Sequence, residues 1–149
     1  MSRPLEVTDL GDGNLSGDVV EAAQQILGWR LATALGGDLT EVVIVETEAY
    51  RGADDPASHA FRGRTSRNAS MYGEPGTLYV YRSYGIHWCA NIVIGSAGEA
   101  SAVLVRCGVP VAGIERMQQR RERMDHLADG PGKLCAALEI GRASCRERV

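Results

Sequence analysis

The chain has 149 residues, 16 Lys+Arg against 19 Asp+Glu, a formal net charge of −3, 44% hydrophobic and 23% charged residues. These values exclude a disordered or collagen-like chain and provide one sizeable core rather than two. No apolar run reaches the ~18 residues of a membrane span, and the first residues lack the apolar stretch of a secretory leader, which reads as cytoplasmic.

Finer composition narrows the chemistry. Every basic residue but Lys133 is Arg, so Lys133 and the N-terminal amine are the only amines available for a Schiff base. The cysteines (Cys89, Cys107, Cys135, Cys145) form no C-x-x-C pair and there are three histidines, which argues against a zinc site or disulfide framework. The acidic balance disfavours coating nucleic acid by bulk charge but leaves a local basic patch open.

Residues 1–17, rich in Gly, Asp and Ser, read as a flexible arm. Asp18 suits the N-cap of a helix over Val19–Leu27, with Val19, Ala22, Ala23, Ile26 and Leu27 apolar on one face and Gly28 as a stop. A strand follows at Trp29–Leu35, then turn chemistry at Gly36-Gly37-Asp38, then a strand at Leu39–Glu48. Strict alternation places Val42, Ile44, Glu46, Glu48 and Tyr50 on one face of it. Residues 51–76 show no sustained periodicity and hold Arg51, His59, Arg62, Arg64 and Arg67; so long an irregular stretch is functional or disordered. Strands return at Thr77–Arg82 and Ile86–Ile94, joined as a hairpin by Ser83-Tyr84-Gly85, and at Ser101–Cys107. Pro110 opens a helix to about Met124, and Lys133–Leu138 begins a short helix after Gly130-Pro131-Gly132. Together these predict a single mixed α+β domain, a curved antiparallel sheet with a hairpin, flanked by helices.

Several residues could carry chemistry, and each has a plainer reading. Glu46 and Glu48, two apart on a strand, suit hydrolysis of a glycosidic bond, with one carboxylate activating water; an edge strand with a wet polar face has the same pattern. Tyr72, Tyr79, Tyr81 and Tyr84 lie close together, with Tyr50 ending the glutamate strand. Aromatics beside arginines suit base stacking, though tyrosines packing a sheet with wet hydroxyls are commoner. Arg62, Arg64 and Arg67 could hold phosphates or form a solvated loop. His59 could stack or exchange a proton, or be merely exposed. Asn91, on a strand opposite the apolar side chains, must find partners. Arg106 interrupts Val103-Leu104-Val105, and an inward guanidinium needs a carboxylate, with Glu48 or Glu46 the natural choice. Arg116–Arg123 reads mainly as a solvated helix face, and the cysteines as small apolar packing.

In order, Val45–Tyr50, His59, Arg67-Asn68, Pro75–Tyr81, Tyr84-Gly85, Asn91-Ile92, Leu104–Arg106 and Gly130–Leu134 resemble the alkyladenine (3-methyladenine) DNA glycosylase family over about residues 18–138, in a bacterial member. The resemblance implies a monofunctional base-excision repair enzyme that flips alkylated or deaminated purines, such as 3-methyladenine, 7-methylguanine or hypoxanthine, out of duplex DNA and removes them hydrolytically. It implies Glu48 as the general base for water, Arg106 as the residue placing that water, Tyr50, His59 and Tyr81 as an aromatic cage, Tyr84 as the side chain intercalated into the duplex, and Asn91 as the residue rejecting normal guanine. It implies no metal or organic cofactor, no membrane partner, a monomer, and a place with DNA at the nucleoid. Scarce lysine agrees with a water nucleophile and no strand-cleaving lyase step. A hydrolase of free nucleosides or small glycosides using Glu46 and Glu48, and a non-catalytic lesion-binding fragment, are the alternatives.

The last eleven residues, Glu139 to Val149, back-translate to a string resembling a common sequencing-library adapter. Read as an artefact, they leave 18–138 as an incomplete glycosylase domain, because the family domain continues past the helix at Lys133-Leu134-Cys135. Removing their two acids and three bases gives 13 basic against 17 acidic residues, a net of −4.

Overall fold

A short amphipathic helix, α1 (Val19–Ile26), buries Val19, Ala22, Ala23 and Ile26. Asp18 takes the extended backbone of an N-cap, but its side chain makes no capping bond; its carboxylate instead pairs with Arg51 Nη2 at 3.0 Å. Gly28, at φ +90°, ends the helix in a conformation that favours glycine. The computed structural model describes residues 15, 17–34, 37–52, 55–61, 63–65, 68–96 and 98–141. Most of the predicted arm, Gly36, Arg62, Arg67 and the segment from Arg142 onward, with Cys145, lie outside the described residues.

Five strands follow: β1 (Arg30–Thr33), β2 (Thr40–Tyr50), β3 (Leu78–Ser83), β4 (His87–Ile94) and β5 (Ser101–Ala112), with a 3-10 turn at Ala69–Tyr72. They form one curled antiparallel sheet in the order β1-β2-β5-β4-β3. Helices α2 (Ile114–Arg121) and α3 (Pro131–Leu138) close the described fold, which is a single mixed α+β domain as expected. Val42, Ile44, Val80, Ala90, Ile92, Val103 and Val105 pack against Ile26, Met117, Leu134 and Leu138 from the three helices. Fully burying a Leu or Ile side chain contributes about 1.5–3 kcal/mol, so this layer dominates stability. A smaller cluster on the other face joins Ala60 and Met71 to Tyr79, Val93, Ala100 and Ala102.

Three sequence-based expectations need correction. First, Val42, Ile44, Glu46, Glu48 and Tyr50 do not share one face. The β2–β5 ladder is irregular at Ile44/Glu46 and Glu46/Thr47, where Arg106 is passed over. After this paired bulge Thr47 and Ala49 continue the helix-packed face: Thr47 Oγ1 donates to the Ala23 carbonyl at 2.8 Å and Ala49 packs on the core. Glu48 and Tyr50, opposite Leu104 and Ala102, therefore turn to the other face. Second, Pro110 opens no helix: it lies in β5 opposite Val42. β4 pairs with β5 only along Ser101–Ile94, Ala102–Val93, Val103–Ile92 and Leu104–Asn91, so at Pro110 one side of β5 has no strand neighbour and the missing N–H is tolerated. The helix begins instead at Ile114, after Gly113 at φ +69°. Third, Arg120 is not solvated. Its side chain is 8% exposed, and Nη1 donates to Thr40 Oγ1 at 3.1 Å and to the Ala137 carbonyl at 2.9 Å. A cation on the last carbonyls of α3 suits that helix end.

Candidate active site

The face bearing Glu48 and Tyr50 also carries Asn91, Tyr79 and Tyr81, because side chains opposed across antiparallel strands share a face, and Arg106 reaches it through its bond to Glu48. An open cleft of ≈ 260 Å³, counting space continuous with solvent, is lined by Tyr50, Ala57, His59, Met71, Tyr79, Tyr81 and Asn91. Four of the sequence-predicted residues, Tyr50, His59, Tyr81 and Asn91, thus meet around one cavity.

At its edge stands a charged cluster. Arg106 Nε donates to Glu46 Oε1 at 2.9 Å and Nη1 to Glu48 Oε2 at 2.8 Å. The hydrogen bond that the guanidinium donates to Glu46 is the first cause holding Arg106 above its ordinary pKa, so it stays charged. The Tyr50 hydroxyl donates to Glu48 Oε1. Burial, then the bond and negative charge of Glu48, push the Tyr50 phenol up to about 12. Glu48 side-chain exposure is 41%, leaving the carboxylate reachable by water.

The aromatic residues stand at angles rather than in a flat stack. His59 and Tyr81 have ring centroids 4.2 Å apart at 65°, and Tyr79 and Tyr81 5.6 Å apart at 33°. His59 Nδ1 and the Tyr79 hydroxyl lie 3.0 Å apart. Burial pushes the Tyr81 phenol well above its usual range, so it remains neutral. Asn91 is 3% exposed and donates Nδ2 to the Tyr79 carbonyl at 3.2 Å, which supplies the partner its position requires.

The loop is shaped by Asn68. This buried side chain accepts from Thr65 N at 2.6 Å and donates Nδ2 to the His59 and Gly63 carbonyls, each at 3.0 Å. Nothing in the sequence pattern singles out this role, nor those of Met71 and Ala57 in the cleft wall. The alternation of Tyr79 with Tyr81 is the one signal that places Tyr79 here. Tyr84 stands apart at the hairpin tip, 95% exposed. Arg64 lies over the Tyr72 ring at 5.7 Å, outside the cleft lining; Arg62 and Arg67 lie outside the described residues. Among the described residues no group of three His, Cys, Asp or Glu could hold a metal ion.

The comparisons with known proteins agree on one family. The family model for methylpurine-DNA glycosylase matches residues 14–149. A protein of Granulibacter bethesdensis is 50% identical over 97% of this chain and 69% of its own length. One of Chlamydia pneumoniae is 47% identical over 91% of this chain and 71% of its own, and one of Rhodopseudomonas palustris is 51% identical over 82% and 60%. All three are provisionally named 3-methyladenine DNA glycosylase, and the chain spans only part of each. On the family match and these identities, the chain belongs to the methylpurine-DNA glycosylase family.

Proposed function

We propose that this chain carries the base-excising site of a monofunctional DNA glycosylase that acts on alkylated or deaminated purines in duplex DNA. The observation that carries this reading is the carboxylate of Glu48, held by Arg106 at the edge of an aromatic cleft built by Tyr50, His59 and Tyr81. A stacked base is unreachable, so it is extruded at a cost of a few kcal/mol, less for a damaged or mispaired base. Tyr84, exposed on a tight turn, fills the vacated stack. In the cleft an alkylated, cationic purine meets electron-rich ring faces. Water, its proton accepted by Glu48, attacks C1′ as the N-glycosidic bond breaks, and a cationic base leaves as a neutral molecule. The sugar passes through a state of oxocarbenium character, which the charge of Glu48 offsets. Asn91, fixed by its bond to Tyr79, crowds the exocyclic amine of guanine.

Release of 3-methyladenine or hypoxanthine from a duplex oligonucleotide tests the reading. Glu48→Gln lowers the single-turnover rate by roughly 10²–10⁴-fold, the range of a general base; wild-type activity in that variant refutes the assignment. A neutral base such as hypoxanthine needs a proton before it leaves, so its release slows as pH rises, whereas release of cationic 3-methyladenine does not follow that decline.

A further inference from the structure

Tyr50 occupies two places at once. Its ring lines the cleft with His59 and Tyr81, and its hydroxyl donates to Glu48 Oε1 while Arg106 Nη1 donates to Oε2. Both geometries follow from the paired bulge, which turns Glu48 and Tyr50, two residues apart, to the same face. The Glu48 side chain is 41% exposed; without donors on both oxygens it would sample several rotamers.

We infer that Tyr50 is a positioning residue for Glu48: its hydroxyl fixes the carboxylate that activates water, while its ring receives the extruded base. This rests on the glycosylase reading. The groups facing the pair are Arg106 from β5, Glu46 from the same strand and Asp55 from the following loop. Burial and Glu48 push the phenol up to about 12, so it remains a donor near neutral pH. Occupancy and reactivity are thereby coupled. A purine that seats squarely against the Tyr50 ring leaves the hydroxyl on Glu48, whereas a base that tilts the ring draws the hydroxyl away and reacts slowly even when bound. Selectivity then appears in rate as well as in affinity.

Tyr50→Phe keeps the ring and removes the hydroxyl, and Tyr50→Leu removes both. The measurements are single-turnover release of hypoxanthine from duplex DNA and affinity for a duplex whose lesion nucleotide is 2′-fluorinated and resists cleavage. Tyr50→Phe is expected to lower the rate by about 10-fold, as lost orientation does, with affinity unchanged; Tyr50→Leu loses both. A Tyr50→Phe enzyme with the wild-type rate overturns the inference, as does one that loses affinity in step with rate. A measurement without catalysis separates this inference from the glycosylase reading: NMR titration of tyrosine labelled with ¹³C at Cζ, in the wild-type chain and in Glu48→Gln. Removing the carboxylate charge takes away its coulombic influence on the Tyr50 phenol and weakens the bond it accepts, so the titration falls from about 12 toward the ordinary 10. An unmoved titration overturns the inference. A moved titration in a chain that releases no base supports the Tyr50–Glu48 link and refutes the glycosylase reading instead.

Discussion

Arg106 stands between two carboxylates, and its value lies in orientation. Side-chain exposures of 38% for Arg106, 59% for Glu46 and 41% for Glu48 place the cluster in partial contact with water, where ion pairs contribute at most about 1 kcal/mol. Arg106→Gln therefore shifts the urea unfolding free energy by no more than about 1 kcal/mol, yet lowers base release by roughly 10²-fold because Glu48 loses the donor on Oε2. Unfolding and single-turnover assays on one preparation separate the two effects; a large stability loss would make Arg106 a structural residue. This partnership is legible in the sequence, since a guanidinium on an otherwise apolar strand demands an acid. The role of Asn68 is not. Its three bonds to backbone groups exist only once the loop has its shape, and side-chain-to-backbone contacts of this kind leave no periodic trace. Asn68→Ala strands buried groups, at a cost of about 1–3 kcal/mol, and frees the backbone at His59. Faster hydrogen exchange confined to residues 59–68 is the expected result, and exchange at the wild-type rate there would remove Asn68 from this role.

At the scale of elements, the irregular ladder between β2 and β5 separates what periodicity can read from what it cannot. Alternation is a rule for regular strands, and it correctly sorts Ala90, Ile92 and Ile94 to the helix-packed face and Asn91 to the other. In β2 the same rule fails at Val45–Glu46, because bulges do not announce themselves in hydrophobic patterning. The outcome bears on the proposed site: Glu48 turns to the face that carries the cleft because the rule breaks just before it. Gly108 supports that break. A Cβ there would lie 2.7 Å from Val42 Cγ2 and 3.2 Å from Leu134 Cδ1, both in the core. Gly108→Ala is thus expected to destabilise by about 1–3 kcal/mol through overpacking, read as a lower urea midpoint with unchanged slope. The hairpin tip shows the reverse balance. Tyr84 holds φ +51° and is followed by Gly85 at +67°, a turn in which both central residues are left-handed. Tyrosine there costs about 1–2 kcal/mol of backbone strain while its side chain packs on nothing, which is what an intercalating residue requires. Tyr84→Gly leaves stability within about 1 kcal/mol of wild type, the strain relieved being offset by unfolded-state entropy, but abolishes preference for the lesion in duplex over the free deoxynucleoside. Loss of folding instead would make Tyr84 a structural turn residue.

For the molecule as a whole, charge and fold give different instructions. The topology is legible from sequence in outline, as a hairpin and further strands flanked by helices in one α+β domain. The placement of Ala60 and Met71 on the second face is not, because it depends on their long-range packing against Tyr79, Val93 and Ala102. Net charge is −3, so the molecule lacks a general attraction for a polyanion, and any hold on DNA must come from a few local cations. On the proposed function, Arg62, Arg64 and Arg67 from the irregular segment 51–76 are the candidates for phosphate contact. Arg64 lies over the Tyr72 ring. Each neutralised phosphate contributes about −0.9 to the slope of log K against log salt, so three such contacts give a slope of about −2.7, shallow for a DNA-binding protein. Arg64→Ala should then flatten the slope by about 0.9 and weaken binding uniformly across sequences, without altering the rate of base release once DNA is bound. Affinity for one duplex measured at several salt concentrations decides it. An unchanged slope would place the phosphates elsewhere on the surface, and a slower bound-state reaction would move Arg64 from holding DNA to shaping the cleft.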